Sequence, residues 1–570
     1  MNMTCIKAPE PLPDRLADMK TRRDAASQFY TTLAYPPQQC NGDEDDFKTQ
    51  HYFANFTKGL KHNPHGEVDN SADYEALLKA LQSGVPADFA AIPLNSMSCG
   101  GVRTQAPFVN PQAGHAFDTC GPDAHSLTLP PPYKFNSAGE IGEIAENYWL
   151  ALARDVPFTA YDEDPLTNEA AADLTNFGAV FDGPKDAMSG KVTTKTLFRG
   201  FMDGDATGPY LSQFLVRDIP YGAQSIIPML TYGLPDRNYM TNAADYLAAQ
   251  NGCFPPGDQV EAIDPRRIYR GRDLAQYVHI DELFQAYFNA CLIMITPPSR
   301  GGIGAYLDEG NPYNGVTGRD PVTHKIMTRK GNQAGFGTLG EPNFKTLVCE
   351  VATRALKAVW FQKWMVHRRI RPEVFAGRIH FDQTTAQSYP FDPANYVKLQ
   401  SGVLPVVHHK NGGHGYFLPM AIPEGSPIHP AYGAGHSTVA GACVTILKAL
   451  FYEDAVLTTD LGIEPMMPTR DGKHLRPYTG ADKNQMTVGS ELNKLAGNIS
   501  MARNFAGVYW RSDYTQSVLL GEKIALYYLQ ECVNTFNEAD VSFTVTRFDP
   551  ALPPADKKVT IKKGDPPRMF

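Results

Sequence analysis

Beyond residue 137, apolar residues recur every third or fourth position along most of the chain. "SAGEIGEIAENYWLALARD" and "DLAQYVHIDELFQAYFNACLIMI" carry that spacing, the period of helices with one buried face, and it predicts long helices there. The same period runs through "NFKTLVCEVATRALKAVWFQKWMVHRRI" until Pro372 and returns at about 436–453 and 487–533. The segment 376–435 and the connector "TPPSRGGIGAYLDEGNPYNG" read as irregular, and "VSFTVTR" at 541–547 alternates as a short strand does. Residues 1–135 are less regular: a helix over "LADMKTRRDAASQFYTTLA", a second at 71–83 stopped by Gly84 and Pro86, and a Gly-, Pro-, Ser- and Asn-rich stretch at 95–135. A connection that long, without period, predicts a structured loop wrapped around the body. The chain therefore divides into a covering region, 1–135, and a helical core, 136–570, expected to form one continuous domain. Two tightly packed domains are the alternative for 570 residues. No repeat or low-complexity tract is present.

Composition narrows the function without choosing it. A hydrophobic fraction of 42% and a charged fraction of 20% belong to an ordinary globular protein. The formal net charge of -9 excludes a general nucleic-acid binder, which needs a basic face to displace counterions, so any anion site must be local. No apolar run approaches the ~20 residues that span a bilayer, and the first twenty residues lack a secretory core, which predicts a soluble, cytoplasmic protein. The nine cysteines contain no CxxC pair, so neither a zinc site nor a disulfide framework is signalled. One pairing, Cys99 with Cys120 across the loop, stands against an odd total and that compartment.

Three separated segments carry candidate chemistry. In "WFQKWMVHRRIRP", Lys363 and Arg371 lie eight residues apart near a helix end that Pro372 terminates, 80° beyond two full turns, so both side chains can converge. In "SPIHPAYGAGHSTVAGACVTILKALF", glycines open into a helix, whose first N–H groups and dipole make an anion site with His436 at its mouth and His429 upstream. In "MARNFAGVYWRSDY", Tyr509 and Asp513 are one helical turn apart, and Arg503 reaches their face only from an irregular helix start. Each alone has a bland reading: a solvated basic helix end, a capping histidine, a buried Tyr–Asp hydrogen bond.

Together, the order K-x7-RP, H-P-x-Y-x-x-G-H, A-R-x-x-x-G-V-x-x-R-x-D resembles the signature of the vanadium-dependent haloperoxidases, which share an oxyanion site with the type 2 phosphatidic acid phosphatases. "FTKGLKHNPHGEVD", "VNPQAGHAFDTCGPDAHSLTLPPPYKF", "YWLALARDVPFTAYD" and "GRDLAQYVHIDELFQAYFNA" look like the bacterial and cyanobacterial branch, so the likeness covers nearly the entire chain. The resemblance implies an all-α fold of two four-helix bundles with long wrapping loops, often in a homodimer or larger assembly. It implies that Lys363, Arg371 and Arg503 hold the oxygens of vanadate or phosphate with help from the Gly435 N–H. It also implies that His436 is the acid–base histidine, His429 a second histidine near the oxyanion, and Trp360 an aromatic near the halide.

The sequence departs from that pattern twice. Where the family has the histidine that bonds vanadium, this chain has Tyr509, and where it has a serine that bonds the oxyanion, this chain has Ala434. An imidazole nitrogen is ready to bind a metal, whereas a phenol of pKa near 10 must first lose a proton; a cationic neighbourhood favours that loss, and Asp513 one turn away opposes it. Held only by charge and hydrogen bonds, vanadate is expected to bind weakly, and the surviving cations suggest an organic phosphate or diphosphate instead. The expectation is a repurposed lyase or cyclase that ionises a prenyl diphosphate for terpene biosynthesis, without covalent vanadate, with Mg2+ entering only alongside such a substrate. Its alternatives are a functional vanadium bromo- or chloroperoxidase, a vanadate-independent rearrangement enzyme of the same family, or a binding-only relative. The candidate catalytic residues are His436, His429, Tyr509 and Asp513; Lys363, Arg371, Gly435 and Arg503 bind the oxyanion, Trp360 and Ala434 line the pocket, and no protein-liganded metal is expected. The expected partners are a small anionic organic substrate and further copies of the chain.

Overall fold

The helical period resolves into eight helices that carry or flank the three segments: α1 (Ala138–Ala153), α2 (Gly271–Tyr277), α3 (Gln285–Ile295), α4 (Glu341–Phe361), α5 (Pro372–Thr384), α6 (Gly435–Leu450), α7 (Val488–Phe505) and α8 (Arg511–Cys532). The computed structural model describes residues 14–95, 106–253, 264–314 and 332–570, and it is helix-dominated. Among the described residues, the β-strands form three two-stranded antiparallel ribbons. One pairs Ser542–Thr546 with Lys558–Lys562, at the place the alternating pattern predicted.

The centre of the fold is the pair α6 and α8. Their backbones approach so closely that a Cβ on Gly441 would lie 2.1 Å from the Val518 carbonyl oxygen, and one on Gly521 would lie 2.1 Å from the Thr438 carbonyl oxygen. Only glycine permits that approach, and the reward is burial: every α6 residue from Ser437 to Leu450 is buried. Helix α1 is buried from Glu140 to Ala153 and begins at Ser137, whose hydroxyl accepts from the Glu140 N–H.

Four expectations are corrected where chemistry interrupts periodicity. The segment 273–295 is two helices, with His279 and Asp281 in the break between them. The helix at 487–533 is also two, separated at Gly507, whose φ of 86° only glycine adopts without strain. Pro372 does not terminate a helix; it opens α5 at the first position, where its missing N–H costs nothing. The preceding helix ends earlier, in a π-helical turn Gln362–His367, and Arg368 is left-handed at φ 40°. The segment 376–435, expected to be irregular, holds most of α5 and the helices Pro393–Ser401 and Val403–Lys410.

The wrapping loop reaches the same region. Leu127 accepts a 2.9 Å hydrogen bond from Gln362 Nε2, and Val109 accepts one of 3.2 Å from Trp360 Nε1. Cys5, Cys99 and the start of the chain read for a secretory core lie outside the described residues. Cys120 is a free thiol, so it has no disulfide with Cys99, whereas Cys253 is disulfide-bonded. Among the described residues, no helix is long and apolar enough to cross a membrane.

Candidate active site

Local backbone, not helix periodicity, brings the cations together. The π-helical turn sets Lys363 beneath the Gly-rich loop, where Nζ donates to the carbonyls of Pro430 (2.9 Å) and Ala431 (3.0 Å) and to the Tyr509 hydroxyl oxygen (3.2 Å). Arg371, in extended backbone just before α5, donates to the His429 carbonyl from Nε (2.9 Å) and to the Val508 carbonyl (2.7 Å). Arg503 lies in the last turn of α7 and donates to the Val278 carbonyl at 3.1 Å, while its Nε has no partner among the described residues.

The three cations surround one ring. The Arg371 and Arg503 guanidinium carbons lie 4.5 and 5.8 Å from the centre of Tyr509, and Lys363 Nζ lies 4.9 Å from it. Tyr509 is not on a helix, as periodicity had it, but in the turn between α7 and α8. Among the described residues, no carboxylate stands within ion-pair distance of Lys363, Arg371 or Arg503; their partners are carbonyls, the phenol and the His429 ring. Burial drives the Lys363 ammonium down to about 8. Burial raises the Tyr509 phenol, but Lys363, Arg371 and Arg503 together outweigh it and bring the phenol down to about 8.

Asp513 is not brought into this cradle. Its Oδ1 accepts from Arg369 at 2.8 Å and its Oδ2 accepts the Trp510 N–H at 2.9 Å, which caps α8. Arg369 also pairs with Glu140 (2.5 Å) and Glu143 (2.7 Å). The carboxylate expected to oppose ionisation of Tyr509 is thus committed to a buried ion cluster.

The two histidines differ in what holds them. His429 Nδ1 lies 3.0 Å from an Arg371 nitrogen and 3.1 Å from the Pro430 carbonyl oxygen, and burial, then Lys363 and Arg371, hold His429 neutral by driving its pKa far down. His436, at the start of α6, donates from Nε2 to Asp281 at 3.1 Å. Burial lowers the His436 pKa and Asp281 opposes the fall. Asp281 was missed at the sequence level; it stands 155 positions away, and its only local signal was a polar break in an apolar period. Trp360 packs its ring 5.1 Å from His429, centre to centre, and 5.7 Å from Lys363 Nζ. A Cβ on Gly435 would approach that ring to 3.2 Å. The buried Ala434 methyl offers no hydrogen bond, and its N–H donates to Ser517 Oγ at 2.8 Å.

Among the described residues, three buried cations without carboxylates, an unpartnered arginine Nε and the N–H groups of a helix start form a donor set suited to an oxyanion. Comparison with known proteins specifies the class. The chain is 32% identical to a vanadium-dependent bromoperoxidase of Corallina pilulifera, over 92% of this chain and 96% of that one. It belongs to the vanadium-dependent haloperoxidases. A vanadium-dependent bromoperoxidase of Ascophyllum nodosum is also 32% identical, over 88% of this chain and 85% of that one. Residues 406–538 match the family model described as the VCPO second helical-bundle domain. A homohexameric vanadate-dependent bromoperoxidase of Ascophyllum nodosum superposes with a TM-score of 0.83 at 27% identity, covering 96% of this chain and 92% of that one.

These findings overturn the expected lyase or cyclase acting on prenyl diphosphates. Haloperoxidase relatives align along nearly the whole chain, and Asp513, expected to oppose ionisation of Tyr509, is paired with Arg369 instead. Mg2+ was tied to the diphosphate and falls with it.

Proposed function

We propose that this chain is a vanadate-dependent haloperoxidase that oxidises bromide with hydrogen peroxide. The uncompensated Lys363–Arg371–Arg503 cradle carries the reading, in a chain whose relatives are named bromoperoxidases. Lys363, Arg371, Arg503 and the Gly435 N–H would hold the oxygens of vanadate. When bound, vanadate supplies the Lewis acidity that makes peroxide electrophilic towards a halide.

The chain's own residues contribute charge, orientation and proton movement. The cations neutralise the oxyanion in a site closed to bulk water, where each charge-assisted hydrogen bond is worth roughly 1.5–3 kcal/mol. Asp281 fixes the His436 proton on Nε2, leaving Nδ1 to take and return a proton. His429 stays a neutral N–H donor beside Trp360, and the two rings wall the cradle on the side where a weakly hydrated halide meets Lys363.

Protein loaded with orthovanadate and supplied with peroxide and bromide is expected to brominate a reporter substrate, and to stop when phosphate displaces vanadate. Absence of vanadate-dependent bromination would refute the reading. The homohexameric relative supports a homo-oligomer, checked by a light-scattering mass that is a multiple of 62.7 kDa.

A further inference from the structure

We infer that the Tyr509 phenolic oxygen is the protein atom that bonds vanadium in this chain. The inference rests on the haloperoxidase reading and goes beyond it, because it assigns the covalent ligand.

At the cradle, His429 Nδ1, Lys363 Nζ and His436 Nε2 are engaged by the protein, and His436 Nδ1 is the atom left for proton transfer. His429 Nδ1 is engaged by Arg371 and by the Pro430 carbonyl, and Lys363 Nζ is a donor to two carbonyls and the phenol. His436 Nε2 is turned to Asp281. The Tyr509 oxygen instead accepts from Lys363, and its ring is flanked by both arginines. Tyr509 is buried at 2% exposure, so cationic neighbours, not water, stabilise its oxyanion. Its turn is fixed from both sides: Arg371 holds the Val508 carbonyl, and the capping Asp513 holds the Trp510 N–H.

The step balances without oxidant or reductant. The phenol gives up its proton, dihydrogen vanadate gives up one hydroxide, the two leave as water, and an O–V bond forms with vanadium still pentavalent. An electron-rich phenolate bonded to a d0 metal absorbs visible light by charge transfer to the metal, whereas free vanadate and imidazole-bound vanadate have no such transition.

The test is a titration of the full-length protein with orthovanadate, without peroxide, followed by absorption and by equilibrium dialysis. A visible band saturating at one vanadate per chain is expected, with tyrosinate ring modes enhanced in the resonance Raman spectrum. Tyr509→Phe is expected to lose the band and bind vanadate about ten-fold more weakly or worse, while inorganic phosphate, which forms no such bond, binds within about two-fold of wild type. Tyr509→His supplies a second variant: it is expected to bind vanadate without the band. A colourless vanadate complex of the wild type, or a band that survives in either variant, overturns the assignment. If that colourless complex still oxidises bromide, the haloperoxidase reading stands without it; if vanadate does not bind at all, both fall.

Discussion

At the scale of single residues, the site is governed by two neighbouring groups, the Lys363 ammonium and the Tyr509 phenol. Lys363 and Tyr509 both titrate at about 8, 3.2 Å apart. Below that pH the cradle holds three cations and a neutral ring; above it, loss of the ammonium or phenol proton removes one positive charge or adds one negative. Anion affinity must therefore fall as pH rises through about 8. Sulfate, whose own charge is constant in this range, is the clean probe: calorimetry is expected to show its dissociation constant rising about ten-fold from pH 7 to pH 9, and a flat profile would contradict the arrangement. Asp281 is a positioning residue for His436, and its carboxylate raises that histidine's pKa. Asp281→Asn is expected to lower kcat at least about ten-fold and to move the His436 limb of the pH–rate profile to lower pH. A limb moving upward would reject that role.

At the scale of elements, the site stands where helices stop. Lys363 lies in a π-helical turn, Arg371 in the step before α5, Arg503 in the last turn of α7, Tyr509 in the turn before α8, and His436 in the first turn of α6. Helix interiors satisfy their own backbone, so donors and shaped loops collect at their ends. The α6–α8 contact fixes two of those ends relative to each other through Gly441 and Gly521. Gly521→Ala would press a methyl against the Thr438 carbonyl and the α6 backbone, neither of which can turn aside. The expected cost is about 1–3 kcal/mol, read as a lower denaturation midpoint, with weakened sulfate binding because the α6 N-terminus shifts. An unchanged midpoint would show that the helices have slack. The motifs were legible as residues, but not their element positions: Pro372 reads identically as a helix terminator or a helix opener, and apolar spacing at 487–533 does not show that Gly507 turns left-handed.

At the scale of the whole molecule, a chain of net charge -9 keeps a cationic cradle while committing several other buried charges to pairs. Arg369 lies among Glu140, Glu143 and Asp513, Arg511 pairs with Glu146, and Lys58 pairs with Glu373 at 2.7 Å. At Lys363, Arg371 and Arg503 the carboxylates are withheld, which leaves a positive potential for an anion. The periphery contributes less: helix Arg15–Thr31 buries no residue. Removing residues 1–31 is expected to shift the melting temperature by less than about 2 °C, by calorimetry, with sulfate affinity intact; a larger loss would mean that a neighbouring copy covers that helix.

The sequence alone determined the helical class, through the three-to-four-residue period, and pointed to Lys363, Arg371, Arg503 and His436 through their motif order. It could not place the surroundings of Tyr509, because acidity depends on what surrounds an oxygen in space. Three distant cations approach the phenol, and Arg369 removes Asp513 from consideration; neither fact has a signal within the local window. Asp281 became visible for the same reason, when folding carried it to His436. Periodicity is a property of neighbours along the chain and survives in one dimension, whereas electrostatic potential is a sum over distances, so only the tertiary structure decided it.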